Sequence, residues 1–177
     1  MVPEAPLERT DGGLEPRGEG WFVVNAREAR WLTGDFGSYT RFEGPEAAKF
    51  QQIGMNIGVL QPGQPACMYH RENEQEDFLV LSGECLLLVE GEERRLSRWD
   101  FVHCPPWTDH VFVGAGDGPC AILMIGARGP DKAIRYPANE LAGRHGASAA
   151  QDTDSAAEAY AEWGANFTPA TVDWPPS

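Results

Sequence analysis

The chain of 177 residues is long enough for one domain with a hydrophobic core, and too short for two such domains with tails. Its 42% hydrophobic and 23% charged residues are the proportions of an ordinary globular protein. Only 14 Lys and Arg stand against 27 Asp and Glu, which gives a formal net charge of -13. Because nucleic-acid backbones and anionic membrane surfaces attract clustered cations, we expect neither as a partner.

The chain has no apolar run of the roughly 20 residues that span a bilayer. Its first residues lack the basic and apolar regions of a signal peptide, which predicts a cytoplasmic protein. The four cysteines, Cys67, Cys85, Cys104 and Cys120, form no CxxC pair. We therefore expect four free thiols, with two disulfides as the arithmetic alternative.

Residues 1–20 are rich in Pro, Gly and Glu, which predicts a disordered or loosely packed N-terminal arm. The folded part, a barrel over residues 21–130, is predicted to open with the apolar residues 21–24. The segment that follows is ambiguous, since a helical turn over 26–31 and a strand over 39–42 both fit.

A series of short strands is predicted from residue 51 onward. Large apolar residues alternate with Gly or Asn between Ile53 and Val59, and this period of two indicates a half-buried strand. Turns rich in Gly and Pro separate six further predicted strands, at 78–81, 85–89, 93–96, 101–103, 111–113 and 121–125. Many short strands with such punctuation predict an antiparallel sandwich or barrel.

Residues 131–177 are predicted to form a C-terminal extension with short helices. One helix is expected over 137–145, and Ser155 begins a capping box that predicts a second. Four large apolar residues of this tail are expected to pack on the barrel or on a second subunit: Tyr160, Trp163, Phe167 and Trp174.

The most informative stretch runs from Tyr69 to Glu84. In it a histidine and several carboxylates precede an aliphatic strand that ends in Gly-Glu. A second histidine, His110, follows a Pro-Pro pair further along. Imidazole and carboxylate groups that converge inside a barrel can hold a divalent metal with open coordination positions.

This spacing resembles the two motifs of the cupin family, G-(x)5-H-x-H-(x)3,4-E-(x)6-G and G-(x)5-P-x-G-(x)2-H-(x)3-N. His70, Glu76 and Gly83 match the first motif, and Pro105 and His110 match the second. The chain departs from the pattern at five positions: Glu72 replaces the second histidine, Trp99 and Trp107 replace glycines, Gly114 replaces the asparagine, and Gly63 is one residue too far from His70.

Two registers of the first motif remain open. Residues two apart share one face of a strand, so either His70 and Glu72 or Tyr69 and Arg71 point into the barrel. The first register gives a metal site, and it is the one we favour. The second gives a pocket for an organic anion without metal.

The resemblance implies an all-β fold, the antiparallel double-stranded β-helix (RmlC-like or jelly-roll barrel) of cupins, with a short helical C-terminal extension. It implies that His70, Glu76 and His110 bind a divalent transition metal such as Fe, Mn, Ni or Zn. Glu72 would be either a fourth metal ligand or a catalytic base.

Dioxygenases of the 3-hydroxyanthranilate type have a similar H-x-N-(x)3-E arrangement. The resemblance therefore favours a metal-dependent dioxygenase acting on a small organic molecule. A non-catalytic small-molecule-binding cupin and a cupin isomerase or lyase are the alternatives, because a fold does not choose among activities. Cupin barrels commonly pair, so a homodimer is expected as well.

The remaining candidates receive structural interpretations. His103 is expected to be packed or hydrogen-bonded, and His145 to lie on the surface. Cys67 and Cys104 are expected to be small core residues. Trp107 is expected to serve in packing, although it is near enough to His110 in sequence to line a pocket mouth.

Overall fold

The computed structural model describes residues 1–164 and 166–173, which form fourteen strands, two short α-helices and one 3-10 turn at Glu46–Ala48. The strands are β1 (Leu7–Thr10), β2 (Gly13–Pro16), β3 (Arg30–Gly34), β4 (Gly37–Arg41), β5 (Ile53–Leu60), β6 (Arg71–Glu72), β7 (Glu76–Ser82), β8 (Glu84–Val89), β9 (Glu92–Ser97), β10 (Phe101–Cys104), β11 (His110–Ala115), β12 (Cys120–Ala127), β13 (Ile134–Arg135) and β14 (Thr168–Ala170). The helices are α1 (Glu140–Gly143) and α2 (Ala156–Ala159).

The predicted strands are confirmed. All seven expected between residues 51 and 127 are present, each longer than predicted by one or two residues at one or both ends. In the ambiguous segment before them, β4 confirms the strand expected near 39–42. The helical turn expected over 26–31 is shorter than predicted: the N–H groups of Glu28 and Ala29 donate to the carbonyl of Asn25, and β3 begins at Arg30.

Two antiparallel sheets dominate the fold. The larger has the strand order β10-β7-β12-β5-β4-β3-β14, and the smaller has the order β11-β8-β9. The segment before β6 runs beside β11 through bridges between Pro65 and Val113 and between His70 and His110. This pairing places the two motif histidines side by side.

The main hydrophobic core draws side chains from both sheets, which therefore pack face to face. Leu60, Phe78 and Ile122 come from the larger sheet, and Leu87 and Phe112 from the smaller. This is the all-β double-stranded β-helix, completed by a small helical extension.

The alternation of side chains along β11 shows how the smaller sheet is covered on both faces. Phe112 joins the core between the sheets. Its neighbours Val111 and Val113 belong to a second cluster that includes Ala142 and Ala147 of the C-terminal extension. The extension thus covers the outer face of the smaller sheet.

A two-residue turn, Glu90-Gly91, connects β8 and β9. Glu90 and Gly91 have φ values of 49° and 78°, the pair of positive angles that a type I′ turn requires. Glycine adopts this conformation without steric cost.

The N-terminal segment differs from its prediction, because residues 1–20 contain an ordered hairpin of β1 and β2. Glu15 is only 3% exposed, and its carboxylate contacts Arg17 Nη1 at 2.9 Å and Arg30 Nη1 at 2.5 Å. Composition predicts poor burial of apolar surface in this segment. It does not reveal that a buried ion pair with β3 anchors the hairpin.

The two helices of the extension begin at side-chain caps. Asn139 accepts a hydrogen bond from the backbone of Ala142, and Ser155 accepts one from the backbone of Glu158. This is one half of the predicted capping box, since the N–H of Ser155 donates to Thr153 Oγ1 and not to Glu158. Both helices are a single turn long.

Three of the four tail aromatics pack within their own chain. Tyr160 and Trp163 lie against Phe36, with ring centroids 5.1 and 5.0 Å apart, and Phe167 lies 6.3 Å from Tyr39. Trp174 lies outside the described residues. Homodimer formation stays a prediction.

The four cysteines are free thiols, as predicted. Every helix in the described part of the chain is too short to pass through a bilayer.

Candidate metal centre

The structure brings together His70, Glu76 and His110. His70 precedes β6, Glu76 opens β7 and His110 opens β11. The potential ligand atoms of the three residues all lie within 4.8 Å of one another. Glu76 Oε2 is 3.4 Å from Nε2 of His110 and 3.9 Å from Nε2 of His70. Two imidazoles and one carboxylate therefore converge on a single point.

Backbone carbonyls orient both rings. Nδ1 of His70 is 2.9 Å from the carbonyl oxygen of Met68, and Nδ1 of His110 is 3.0 Å from that of Thr108. Because a carbonyl only accepts, each Nδ1 carries the proton and donates it. Each Nε2 then presents its lone pair to the site, as a metal-ligating histidine requires.

Burial keeps both histidines neutral. It lowers the pKa of His70 to about 3, with the neighbouring His110 contributing to the same shift. Burial also lowers the pKa of His110 from its usual value. Neutral imidazole is the form that binds a metal, so neither ring has to lose a proton first.

Burial has the opposite effect on the carboxyl group of Glu76. Burial first, and then the charge of Glu72, raise the pKa of Glu76 to about 7. A cation at this point would favour the ionised form of the carboxylate, and so would lower that pKa.

Glu72 stands apart from the three converging residues. The Glu72 side chain is buried, and its Oε2 lies 2.8 Å from Nζ of Lys132 at angles that do not make a hydrogen bond. The contact is an ion pair. Glu72 therefore pairs with Lys132 and is not one of the three converging residues.

The inward register is that of His70. Tyr69 packs on the opposite side with Leu88 and Val111, in the cluster under the extension. Arg71 Nη1 contacts Asp109 at 3.6 Å. The alternative pocket formed by Tyr69 and Arg71 is not present.

A cavity of about 320 Å³ opens next to the three residues. Phe78, Phe112 and Met124 supply apolar surface, and Asn56 and Lys132 supply polar groups. The side-chain oxygen of Asn56 is buried and has no hydrogen-bond donor among the described residues. The site thus offers an acceptor and a cation to a small ligand.

The C-terminal extension forms hydrogen bonds with the segment just before His70. The backbone N–H of Met68 donates to the hydroxyl of Tyr160 at 3.1 Å, and that of Tyr69 donates to the carbonyl of Ala147 at 2.6 Å. Since the carbonyl of Met68 fixes the His70 ring, Tyr160 is linked to the ring through one residue.

Comparison with known proteins agrees with this geometry. The sequence model of the family described as cupin domain matches residues 56–126, which include all three converging residues. That match covers 71 of the 177 residues, and over this part the chain is similar to cupin domains. No curated protein matches it.

Solved structures give the same fold. A sugar phosphate isomerase of the cupin superfamily from Silicibacter pomeroyi is 24% identical with a TM-score of 0.56, covering 63% of this chain and 79% of its own. The polyketide cyclase RemF from Streptomyces resistomycificus is 12% identical with a TM-score of 0.54, covering 63% and 83%. A predicted oxalate decarboxylase from Thermotoga maritima is 18% identical with a TM-score of 0.53, covering 60% and 98%.

At two positions where the cupin pattern has glycine, this chain has tryptophan in the backbone conformation that glycine favours. Trp99 and Trp107 stand at glycine positions, and their φ values are 80° and 70°, in the left-handed region that favours glycine. Their side chains are 64% and 44% exposed. Trp107 does not line the cavity next to the candidate metal centre.

The other histidines lie away from the candidate metal centre: His103 is hydrogen-bonded as expected, whereas His145 is half-buried and not fully on the surface. Nδ1 of His103 is 2.7 Å from Oδ1 of Asp77, and Nε2 of His145 is 3.1 Å from Oε2 of Glu93. Cys104 is buried in the core, and Cys67 is half-buried with its Sγ 3.5 Å from Nδ1 of His70.

Sequence reasoning missed Asn56, Lys132 and Tyr160. A signal existed for Asn56, because it shares one face of β5 with Gly54 and Gly58, whereas the large apolar residues lie on the other face. That small-residue face lines the cavity. Nothing in the local sequence pointed to Lys132, and Tyr160 was expected only to pack on the barrel or on a second subunit. Both reach the site from the segment after β12.

Proposed function

We propose that this protein binds a divalent transition metal through His70, Glu76 and His110 and acts on a small organic molecule in the adjoining cavity. The observation that carries the proposal is the convergence of two Nε2 atoms and one carboxylate, with both Nδ1 atoms already committed to carbonyls.

The donor set suits such a metal. Imidazole and carboxylate together are typical ligands of Fe(II), Mn(II), Ni(II) and Zn(II), and three protein ligands leave coordination positions for a substrate. When bound, the metal would supply Lewis-acid polarisation and, if it is iron, a site for O₂.

The surrounding residues supply orientation and exclusion of water. Phe78 and Phe112 present rings on the core side of the cavity, which lowers the local polarity. Lys132 lines the cavity while it pairs with Glu72, so it offers its remaining N–H donors to an oxygen of the substrate. The unpaired oxygen of Asn56 accepts a hydrogen bond from a hydroxyl or amine. A small hydroxylated or enolic organic acid fits these groups.

Dioxygenation is the reaction we favour, on the resemblance of the ligand set to the two-histidine, one-carboxylate triad. The similar structures carry names of an isomerase, a cyclase and a decarboxylase, and those names do not choose a reaction for this chain. In this proposal Glu72 acts through its charge, which raises the pKa of Glu76 and balances Lys132.

The test begins with metal content. Chelator-treated protein is titrated with Mn(II), Fe(II), Ni(II) and Zn(II) by calorimetry under anaerobic conditions, and one ion should bind per chain. Oxygen uptake by the Fe(II) form is then measured with a panel of phenols, diketones and hydroxy acids.

Absence of binding by all four ions contradicts the metal centre. Stoichiometric metal without turnover on any compound, together with tight binding of one of them, supports the alternative of a small-molecule-binding cupin. The variant His103→Ala is the matched control, because His103 pairs with Asp77 away from the centre.

A further inference from the structure

A cavity of about 750 Å³ lies between the turn that joins β3 to β4 and the C-terminal extension. We call it the aromatic cavity. Five aromatic side chains line it: Phe36, Tyr39, Tyr160, Trp163 and Phe167. Its volume is that of a pocket for a complete small molecule, and an apolar lining of this kind is typical of ligand sites.

The aromatic cavity opens to solvent on its own side. Its lining includes three alanines of helix α2 and the turn after it, Ala156, Ala157 and Ala161, and all three are exposed. Because a methyl group occupies little space, these positions leave room opposite the rings. A ligand can therefore enter from solvent without passing through the cavity next to the candidate metal centre.

The lining selects the charge of the ligand. Among the described residues that line the aromatic cavity, Asp35 is the single charged one, and it is exposed. The described lining thus offers no Lys or Arg to an anion, and the whole chain has a net charge of -13. Aromatic rings, by contrast, make favourable edge and stacking contacts with other rings. The occupant that fits is an uncharged aromatic molecule.

Two side chains of the lining also contact the segment that orients His70. The hydroxyl of Tyr160 accepts a hydrogen bond from the backbone N–H of Met68, and the carbonyl of Met68 accepts one from Nδ1 of His70. Sγ of Cys67 lies 3.5 Å from the same Nδ1. Both contacts reach the imidazole on the side away from Nε2, the atom that faces the candidate metal position. The aromatic cavity therefore adjoins the support of this histidine and not its coordinating atom.

We propose that the aromatic cavity is a regulatory site for an uncharged aromatic molecule, and that a molecule bound there strengthens metal binding at His70. The bound molecule packs against the ring of Tyr160 and restricts its motion, so the hydroxyl holds the backbone of Met68 where it orients His70. This inference rests on the proposed function, because it uses the same metal centre. Since coupling between two sites is reciprocal, the metal must strengthen binding of the aromatic molecule by the same factor.

Two probes with one ring system test the site itself. 2-Naphthylmethanol is uncharged, and 2-naphthoate is an anion of nearly the same shape. Binding of the alcohol to the metal-free protein is measured by calorimetry, and 2-naphthoate is then titrated as its competitor. The anion should bind at least about tenfold more weakly, because the lining would leave a buried charge unpaired.

Coupling is measured as the ratio of the Mn(II) affinities with and without saturating 2-naphthylmethanol. We expect a ratio of about fivefold or more, and the same ratio for the alcohol with and without Mn(II). Tyr160→Phe keeps the ring in the lining but removes the hydroxyl that contacts Met68. This variant should bind the alcohol within about threefold of the unaltered protein, whereas its coupling ratio should fall below about twofold.

Two further variants locate the bound ring. Trp163→Ala removes one ring of the lining, and Ala161→Trp fills the cavity from an exposed position. Each should weaken binding of the alcohol by roughly tenfold or more, because less apolar area is buried. Trp99→Ala removes an exposed tryptophan that does not line the aromatic cavity, so it is the matched control and should keep the full affinity.

The outcomes separate this inference from the proposed function. If the metal-free protein does not bind the alcohol, or if both lining variants keep the full affinity, the inference is overturned whether or not Mn(II) binds. Equal Mn(II) affinities with and without the alcohol overturn the inference alone and leave the metal centre in place. A coupling ratio that survives in Tyr160→Phe also overturns it. Failure of Mn(II) to bind in either state overturns the proposed function, and this inference with it.

Discussion

His70 and His110 both present Nε2 to the candidate metal position, but different parts of the chain fix their orientation. His110 begins the regular strand β11, and its Nδ1 donates to Thr108 within a local turn that Pro105 closes. His70 lies before the two-residue strand β6, and the C-terminal extension supports the backbone on which its ring depends.

His110 is therefore positioned by local structure, and His70 by contacts with a distant segment. The contact between Tyr160 and Met68 joins residues 92 positions apart. Removal of a local partner should therefore affect the site less than removal of a partner in the extension. Changes to the ligands themselves should exceed both.

The largest effect is expected from the ligands. His70→Ala and His110→Ala should each weaken metal binding by more than about 100-fold, above the range seen for loss of an outer partner of a ligand. Calorimetric titration with Mn(II) measures this. If both variants kept their metal, the site would lie elsewhere; a loss in only one would break the equivalence of the two histidines.

Acidification should produce the next largest effect, and it should come from Glu76. The pKa of Glu76 is raised to about 7, whereas that of His70 is lowered to about 3. Below about pH 7 a metal must therefore displace the proton of Glu76. Its affinity should fall by about tenfold per pH unit, or about 100-fold at pH 5.

Above about pH 7 the affinity should level off, because Glu76 is then ionised. Titrations at a series of pH values measure the profile. If Glu76→Gln kept the same pH dependence of metal affinity, the proton would instead belong to an imidazole.

A smaller effect is expected from the extension. Tyr160→Phe removes the hydroxyl that Met68 contacts and should weaken metal binding by about tenfold. The matched change on the other side is Thr108→Val, which removes a hydrogen bond to Pro105 within the local turn. That variant should change the affinity by less than about threefold, because the backbone of the turn remains.

Equal losses in Tyr160→Phe and Thr108→Val would contradict the comparison. Thermal unfolding of both variants distinguishes positioning from general destabilisation. A drop in metal affinity without a matching drop in stability supports positioning of His70 by Tyr160.

The smallest effect on metal content is expected from Glu72→Gln. The carboxylate of Glu72 pairs with Lys132, so its loss should leave the metal affinity near pH 7 within about threefold. The pKa of Glu76 should fall, because the charge of Glu72 no longer raises it. Complete loss of metal would make Glu72 a fourth ligand, and retained metal with lost turnover would make it a catalytic base.

Much of the fold could be predicted because the side chains of a strand alternate between two faces, and a few residues are enough to show this pattern. The alternation from Ile53 to Val59 gave β5, and Gly and Pro turns separated the strands that follow. The ordered hairpin at the N-terminus could not be predicted in this way. Its anchor is the pairing of Glu15 with Arg30 of another strand, which leaves no local pattern.

The chemistry of the candidate centre could be predicted from residue spacing alone. The spacing of His70, Glu76 and His110 named the three residues that converge, since a motif records side chains that fixed strands present to one point. It did not determine the partner of Glu72 or the support of His70. Lys132 and Tyr160 come from distant segments, and only tertiary packing brings them to the site.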